Sequence, residues 1–228
     1  MNNIIAFIPI RSGSKSVPDK NIKLLGGLPL ADWTIELSLK AGLRTVVNSD
    51  SEKYLEIAKN YGAEIMLRSK GLAQDDTPMF QVLKSEIPKI DPIPEVVVLL
   101  SATVPFRKLV ILKNAISYFL ASMNEYDSAI TVQKVPHEFN PAQVIVSTPM
   151  GLRMADGRNI SQRLTSRSQY PESYVTSQGI YIFKTSNLEK GSLYGDKTML
   201  LECNASIDIN TQEDFAKAEL ELLSGKIK

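Results

Sequence analysis

The chain has 228 residues, enough to bury one substantial core but cramped for two independent domains. Its 26 Lys and Arg against 25 Asp and Glu leave a formal net charge of +1, so any attraction for a polyanion must come from local clustering, and neither nucleic acid nor an anionic membrane is an expected partner. The single cysteine, Cys203, excludes an internal disulfide and a cysteine metal cluster, and no apolar run approaches the ~18 residues of a membrane span, so a cytoplasmic location is expected.

Ile4 to Ile10 is a continuous apolar run, as expected for a strand buried on both faces. Leu30, Trp33, Ile35, Leu37 and Leu39 follow in a mostly helical pattern that Gly42 closes, and Thr45 to Val47 reads as a second strand. Asp50 or Ser51 is positioned to cap a helix that ends at Gly62, and Ala63 to Leu67 is a third strand. A helix over 77–87, a strand over 95–100, a helix over about 108–123 and a strand over 128–132 continue the alternation. Strands alternating with helices at this spacing predict an α/β fold with a doubly wound, mostly parallel sheet.

After Val135 the periodicity is lost. Residues 136–177 carry little helical pattern and only short strand-like pieces such as Gln143 to Ser147, which predicts an inserted hairpin-like segment within a single domain. A segment that cannot bury much alone is suited to covering an active site or to pairing with a second copy of the chain, making a homodimer. Strands over 179–183 and 205–209 and a helix over 211–223 with a threonine N-cap complete the expected elements.

The loop from Arg11 to Asn21 places three cations, three hydroxyls and Gly13 at the carboxyl end of the first strand. In doubly wound sheets ligands bind there, and a triphosphate needs both closely approaching backbone N–H groups and cationic side chains. The loop lacks the second Gly and the Gly-Lys-Ser/Thr ending of a Walker A motif.

The order of its residues goes further. Ile8-Pro9-Ile10-Arg11-Ser12-Gly13-Ser14-Lys15 followed by Pro18-Asp19-Lys20-Asn21-Ile22-Lys23 resembles the signature of the CMP-N-acylneuraminate synthetases. The resemblance continues through Trp33-Thr34-Ile35-Glu36, Asn48-Ser49-Asp50-Ser51-Glu52, Leu72-Ala73-Gln74-Asp75 and Ile207-Asp208-Ile209-Asn210-Thr211. It implies a Rossmann-like nucleotidyltransferase that transfers CMP from CTP to the anomeric hydroxyl of a nine-carbon, sialic-acid-like sugar acid, with magnesium or another divalent cation as cofactor. Arg11, Lys15 and Asp208 are then the catalytic candidates. Ser12, Gly13, Ser14, Lys20, Asn21, Arg68 and Thr77 join Arg11 and Lys15 around the nucleotide. Ser101, Thr103, Arg167 and Tyr181 are the sugar-binding candidates, and Asp208 with Asn210 the metal ligands.

This chain departs from the family pattern at three places: Ser101 stands where Gln is usual, Asn210 replaces a second Asp, and Ser177-Gln178-Gly179 precedes Ile180-Tyr181. The departures keep two other readings open, a cytidylyltransferase for a different keto-sugar acid such as 3-deoxy-manno-octulosonate and a non-catalytic nucleotide-binding relative. Arg107 reads as a surface residue at a helix start, His137 has no assignable acidic partner for general-base work, and Cys203 reads as a small buried apolar residue.

Overall fold

A computed structural model describes residues 3–225. The chain opens with β1 (Ile4–Pro9), whose central four residues are buried, as its unbroken apolar run requires. A two-residue ribbon, β2 (Leu24–Leu25) and β3 (Leu28–Pro29), leads into α1 (Leu30–Lys40). Next come β4 (Arg44–Ser49), α2 (Glu52–Asn60), β5 (Glu64–Leu67), α3 (Met79–Glu86) and β6 (Val96–Leu100). Ser51 rather than Asp50 caps α2, its side chain accepting from the Tyr54 N–H. Asp50 is thereby left for another task.

The second half contains α4 (Leu109–Ala121), β7 (Ser128–Lys134), a hairpin of β8 (Ile145–Thr148) and β9 (Gly151–Met154), β10 (Tyr174–Lys184), β11 (Thr198–Glu202) and α5 (Gln212–Leu223). Thr211 begins α5 with a reciprocal capping box: its hydroxyl accepts from the Asp214 N–H and the Asp214 carboxylate accepts from the Thr211 N–H.

Seven strands form one sheet in the order β11-β7-β10-β6-β1-β4-β5. All are parallel except β10, which runs antiparallel to both β6 and β7. The chain leaves β1 toward β4 on one side and continues from β6 toward β7 on the other, so the sheet reverses its winding between β1 and β6. Both strands are fully apolar at their centres because helices cover both faces. Phe119 on one face and Phe7 and Phe183 on the other have no exposed surface or almost none, and truncating such a side chain to Ala costs about 3–5 kcal/mol.

One expected strand is absent. Residues 205–209 form no strand, and the edge position beside β7 is taken by β11, a few residues earlier. The alternation of Ile207 and Ile209 reflects packing under α5 instead, where Ile209 lies fully buried beside Phe215 and Ala218. Among the described residues no helix is long and apolar enough to cross a membrane.

Candidate active site

The reversal point between β1 and β6 holds a cleft of about 270 Å³. The loop after β1 contributes Arg11, Ser14, Lys20 and Asn21, the stretch between β5 and α3 contributes Arg68, Gln74, Asp75 and Thr77, and the loop after β6 contributes Ser101 and Thr103. Three segments distant in sequence thus converge at the carboxyl edge of the sheet, where strands point their loops and nothing from the sheet itself fills the space.

Local physics fixes the first loop at both ends. Ser12 donates its backbone N–H and its hydroxyl to the two oxygens of Asp50, at 2.8 and 2.6 Å. Burial pushes the Asp50 carboxyl up, but the bonds from Ser12 and the nearby Arg68 outweigh it and hold the group below the usual carboxylate range. Gly13 has a φ of 70°, a conformation that L side chains rarely adopt. At the far end Asp19 takes the left-handed conformation, and the Tyr54 hydroxyl donates to its carboxylate at 2.8 Å. Asn21 is buried and donates to the Arg11 carbonyl at 2.9 Å, closing the loop upon itself.

Arg68 is only 5% exposed, yet its Nε has no hydrogen-bond partner while the residue lines the cleft. Burial lowers its proton affinity, opposed by Asp50 and Glu86, and a guanidinium remains charged in such surroundings. An unsatisfied buried donor beside an open cleft favours an acceptor arriving with a ligand.

Residues 208–210 are stitched to the rest. Ile209 N–H donates to the Thr103 carbonyl, the Lys20 ammonium donates to the Ile209 carbonyl at 2.9 Å, and the Ser16 hydroxyl donates to the Asn210 carbonyl at 2.7 Å. Lys20 is pulled down chiefly by burial, with Asp208 acting in the opposite sense. Asp208 is exposed, and its carboxylate accepts no hydrogen bond among the described residues. No group of three His, Cys, Asp or Glu that could hold a metal alone occurs among them. A lone free carboxylate fits magnesium, which keeps waters and completes its shell with substrate phosphates, better than it fits a metal held by protein alone.

The sequence candidates divide accordingly. Arg11, Ser14, Lys20, Asn21, Arg68, Thr77, Ser101 and Thr103 share one cleft. Ser12, Gly13 and Lys15 lie in the same loop, with Ser12 turned to Asp50 and Lys15 largely exposed. Tyr181 lines an adjoining cavity of about 310 Å³ with Leu193 and Tyr194, which shares Pro9, Met79 and Ser101 with the main cleft. Arg167 is exposed in the 136–177 segment and touches neither cavity.

Arg107 requires a correction, being 4% exposed rather than a surface residue. Its guanidinium donates to the carbonyls of Gln178 at 2.7 Å and Ser101 at 2.9 Å and to the Thr34 hydroxyl. Its hydrogen-bond partners are all neutral, and burial pulls it down to about 9, opposed only by the nearby Asp208 carboxylate. It clamps the loop after β6 to the irregularity in β10, where Gly179 has a φ of 58° and a Cβ would come within 2.9 Å of Ser101. Cys203 is half-buried rather than buried, with its sulfur 3.2 Å from the Ser177 hydroxyl. His137 stacks on Tyr170 away from both cavities.

A mixed, mostly parallel sheet with a cationic, glycine-containing loop at its reversal point defines a Rossmann-like nucleotidyltransferase fold. A CMP:2-keto-3-deoxy-manno-octonic acid synthetase complexed with CTP superposes with a TM-score of 0.74 at 14% identity, over 99% of this chain and 100% of that one. Residues 5–193 match the family model described as cytidylyltransferase, and the chain belongs to that family. Among its relatives, the CMP-N,N'-diacetyllegionaminic acid synthase of Legionella pneumophila is 30% identical over 95% of this chain and 94% of its own. The N-acylneuraminate cytidylyltransferase of Streptococcus agalactiae serotype III is 29% identical over 92% of this chain, which spans about half of that protein's length. The pseudaminic acid cytidylyltransferase of Campylobacter jejuni is 29% identical over 95% of this chain and 94% of its own.

Proposed function

We propose that this chain transfers CMP from CTP to the anomeric hydroxyl of a nine-carbon, nonulosonic sugar acid, giving CMP-sugar and pyrophosphate. The observation that carries this reading is the convergence of Arg11, Lys20 and Arg68 with Ser14 in one cleft at the reversal point of a cytidylyltransferase sheet. The three sequence relatives named above, whose names give N-acylneuraminate, diacetyllegionaminate and pseudaminate, support the substrate class.

In this reaction the anomeric oxygen forms a bond to the α-phosphorus while the bond from that phosphorus to the bridging oxygen of the β-phosphate breaks. Pyrophosphate leaves and the hydroxyl proton passes to solvent, so no protein nucleophile is needed. Arg11 and Lys15 neutralise the phosphate oxygens as charge moves onto the leaving group, and backbone N–H groups around Gly13 approach them closely. Lys20 and Asn21 hold the nucleoside side of the loop, and Arg68 and Thr77 face the base and ribose. Ser101, Thr103 and Tyr181 bound the sugar side, with Arg167 reaching the sugar carboxylate only from a partner copy. Asp208 and Asn210 would hold a magnesium ion, which supplies charge neutralisation on the phosphates when bound.

The active unit is read as a homodimer acting in the cytoplasm. Support comes from the β8–β9 hairpin, which pairs with no strand of the main sheet and carries exposed Ile145, Met150 and Leu152. The reading is tested by incubating the chain with CTP, magnesium and a panel of N-acetylneuraminate, diacetyllegionaminate, pseudaminate and 3-deoxy-manno-octulosonate. Pyrophosphate release with one of the first three is the expected result. Release with the octulosonate alone moves the substrate class, and CTP binding without release on any acid reduces the chain to a nucleotide-binding relative.

A further inference from the structure

The cations at the mouth of β1 are already occupied. Arg11 Nη2 lies 2.6 Å from one oxygen of Asp75, and the Lys15 ammonium is ion-paired with the other oxygen. A single carboxylate therefore bridges both groups that the proposed function assigns to the triphosphate. Asp75 arrives from the opposite wall of the cleft, between Gln74 and Thr77, both of which also line it. No other acidic side chain pairs with Arg11 or Lys15 among the described residues, and neighbouring Asp76 makes no ion pair there. The contact thus selects one of two adjacent acids, which general acidity of the loop does not explain.

We propose that Asp75 is a specificity-determining residue, an internal counter-anion that phosphate groups must displace before they can be held by Arg11 and Lys15. This rests on the reading that the loop after β1 holds nucleotide phosphates. Asp75 sets a threshold of charge for entry: a polyphosphate tail replaces both ion pairs at once, whereas a lone phosphate competes with a tethered carboxylate whose effective concentration is high. Both cations stay screened while the site is empty, and inorganic phosphate is kept off them. The pairs are partly exposed, so their loss is within reach of a ligand.

Calorimetric titration of the full chain with CTP and with inorganic phosphate at low salt tests this, using wild type, Asp75→Asn, Asp76→Asn and Lys15→Ala. Asp75→Asn is expected to bind inorganic phosphate about tenfold more tightly and CTP only about threefold, narrowing the preference for CTP, within the range set by two partly exposed ion pairs; equal tightening for both ligands overturns the specificity role. Asp76→Asn is expected to bind as wild type does. Unchanged or weaker binding in Asp75→Asn, with Lys15→Ala still weakened, overturns the proposal and leaves the phosphate reading intact. Equal tightening in Asp76→Asn overturns it as well, as a general charge effect. If Lys15→Ala binds CTP like wild type, the phosphate reading itself fails and the proposal with it.

Discussion

The Ser12 N–H and hydroxyl both end on the Asp50 carboxylate, a residue that caps no helix and instead fixes the loop after β1. Charge-assisted bonds of this kind are worth about 1.5–3 kcal/mol each. Asp50→Ala is expected to raise KM for CTP by about tenfold with a smaller change in kcat, because it loosens the loop without removing a phosphate ligand. Steady-state kinetics with CTP varied checks this. The depressed carboxyl adds a pH signature: its stabilisation is full above the ordinary value of 3.8 and is lost as pH falls through the lower folded value. Asp50→Ala is therefore expected to be less acid-sensitive than wild type, as followed by circular dichroism from pH 5 downward.

On the proposed mechanism, Lys15→Ala removes one cation from the charge that develops on the leaving pyrophosphate. A loss of about 3–4 kcal/mol in the barrier is expected, roughly 10²- to 10³-fold in kcat/KM. Wild-type pyrophosphate release from the variant would sink the role given to the loop.

Asp32 tests the opposite sign. It is fully buried in the first turn of α1, neither oxygen has a hydrogen-bond partner, and burial pushes its carboxyl up to about 6 despite Tyr61 alongside. The group costs nothing below about pH 3.8, where both states are protonated, and the cost grows as pH rises toward 6 and then levels. The full cost is on the order of 3 kcal/mol. Asp32→Asn is expected to raise the melting temperature at pH 8 and to lose that advantage near pH 4. Equal shifts at both pH values would refute the ionisation argument.

The hairpin offers a third kind of measurement. Leu152 is 55% exposed on β9, and on the proposed homodimer an Asp there is expected to weaken self-association. Light scattering should show a smaller species for Leu152→Asp at micromolar concentration. An unchanged oligomer would remove the hairpin from the interface.

Gly179→Ala combines a left-handed φ with a Cβ placed against Ser101. Destabilisation of at least about 1 kcal/mol is expected, together with a weaker response to the sugar acid than to CTP, as judged by thermal shift with each ligand.

Much of this was legible from residues alone, for reasons that also explain the failures. β1 and β6 are unbroken apolar runs because helices cover both faces, so their sequence carries the answer. β11 is a partly exposed edge strand with the pattern Thr-Met-Leu-Leu-Glu, and the nearby alternation in Ile207 and Ile209 drew the expectation to the wrong segment. Arg107 looks like a solvated arginine because one of its partners, the Gln178 carbonyl, is set by a β10 irregularity 71 residues away, and another, the Ser101 carbonyl, is turned toward it by the loop after β6. Asp75 belongs to the Leu72-Ala73-Gln74-Asp75 stretch that carries part of the family resemblance, but nothing in that stretch gives its partner, and only the folded cleft brings it to Arg11. Local pattern records burial well; it is blind to which distant carbonyl or carboxylate a charge will meet.

The bond from the Ser16 hydroxyl to the Asn210 carbonyl joins positions 194 residues apart. Since the stretch around Ile209 also hangs from Thr103 and Lys20, the amino-terminal loop is supported by residues 209 and 210 as well as by Asp50 and Tyr54. A chain cut before residue 208 would keep every strand of the sheet and lose these three bonds, so such truncations should no longer hold the loop after β1 in place.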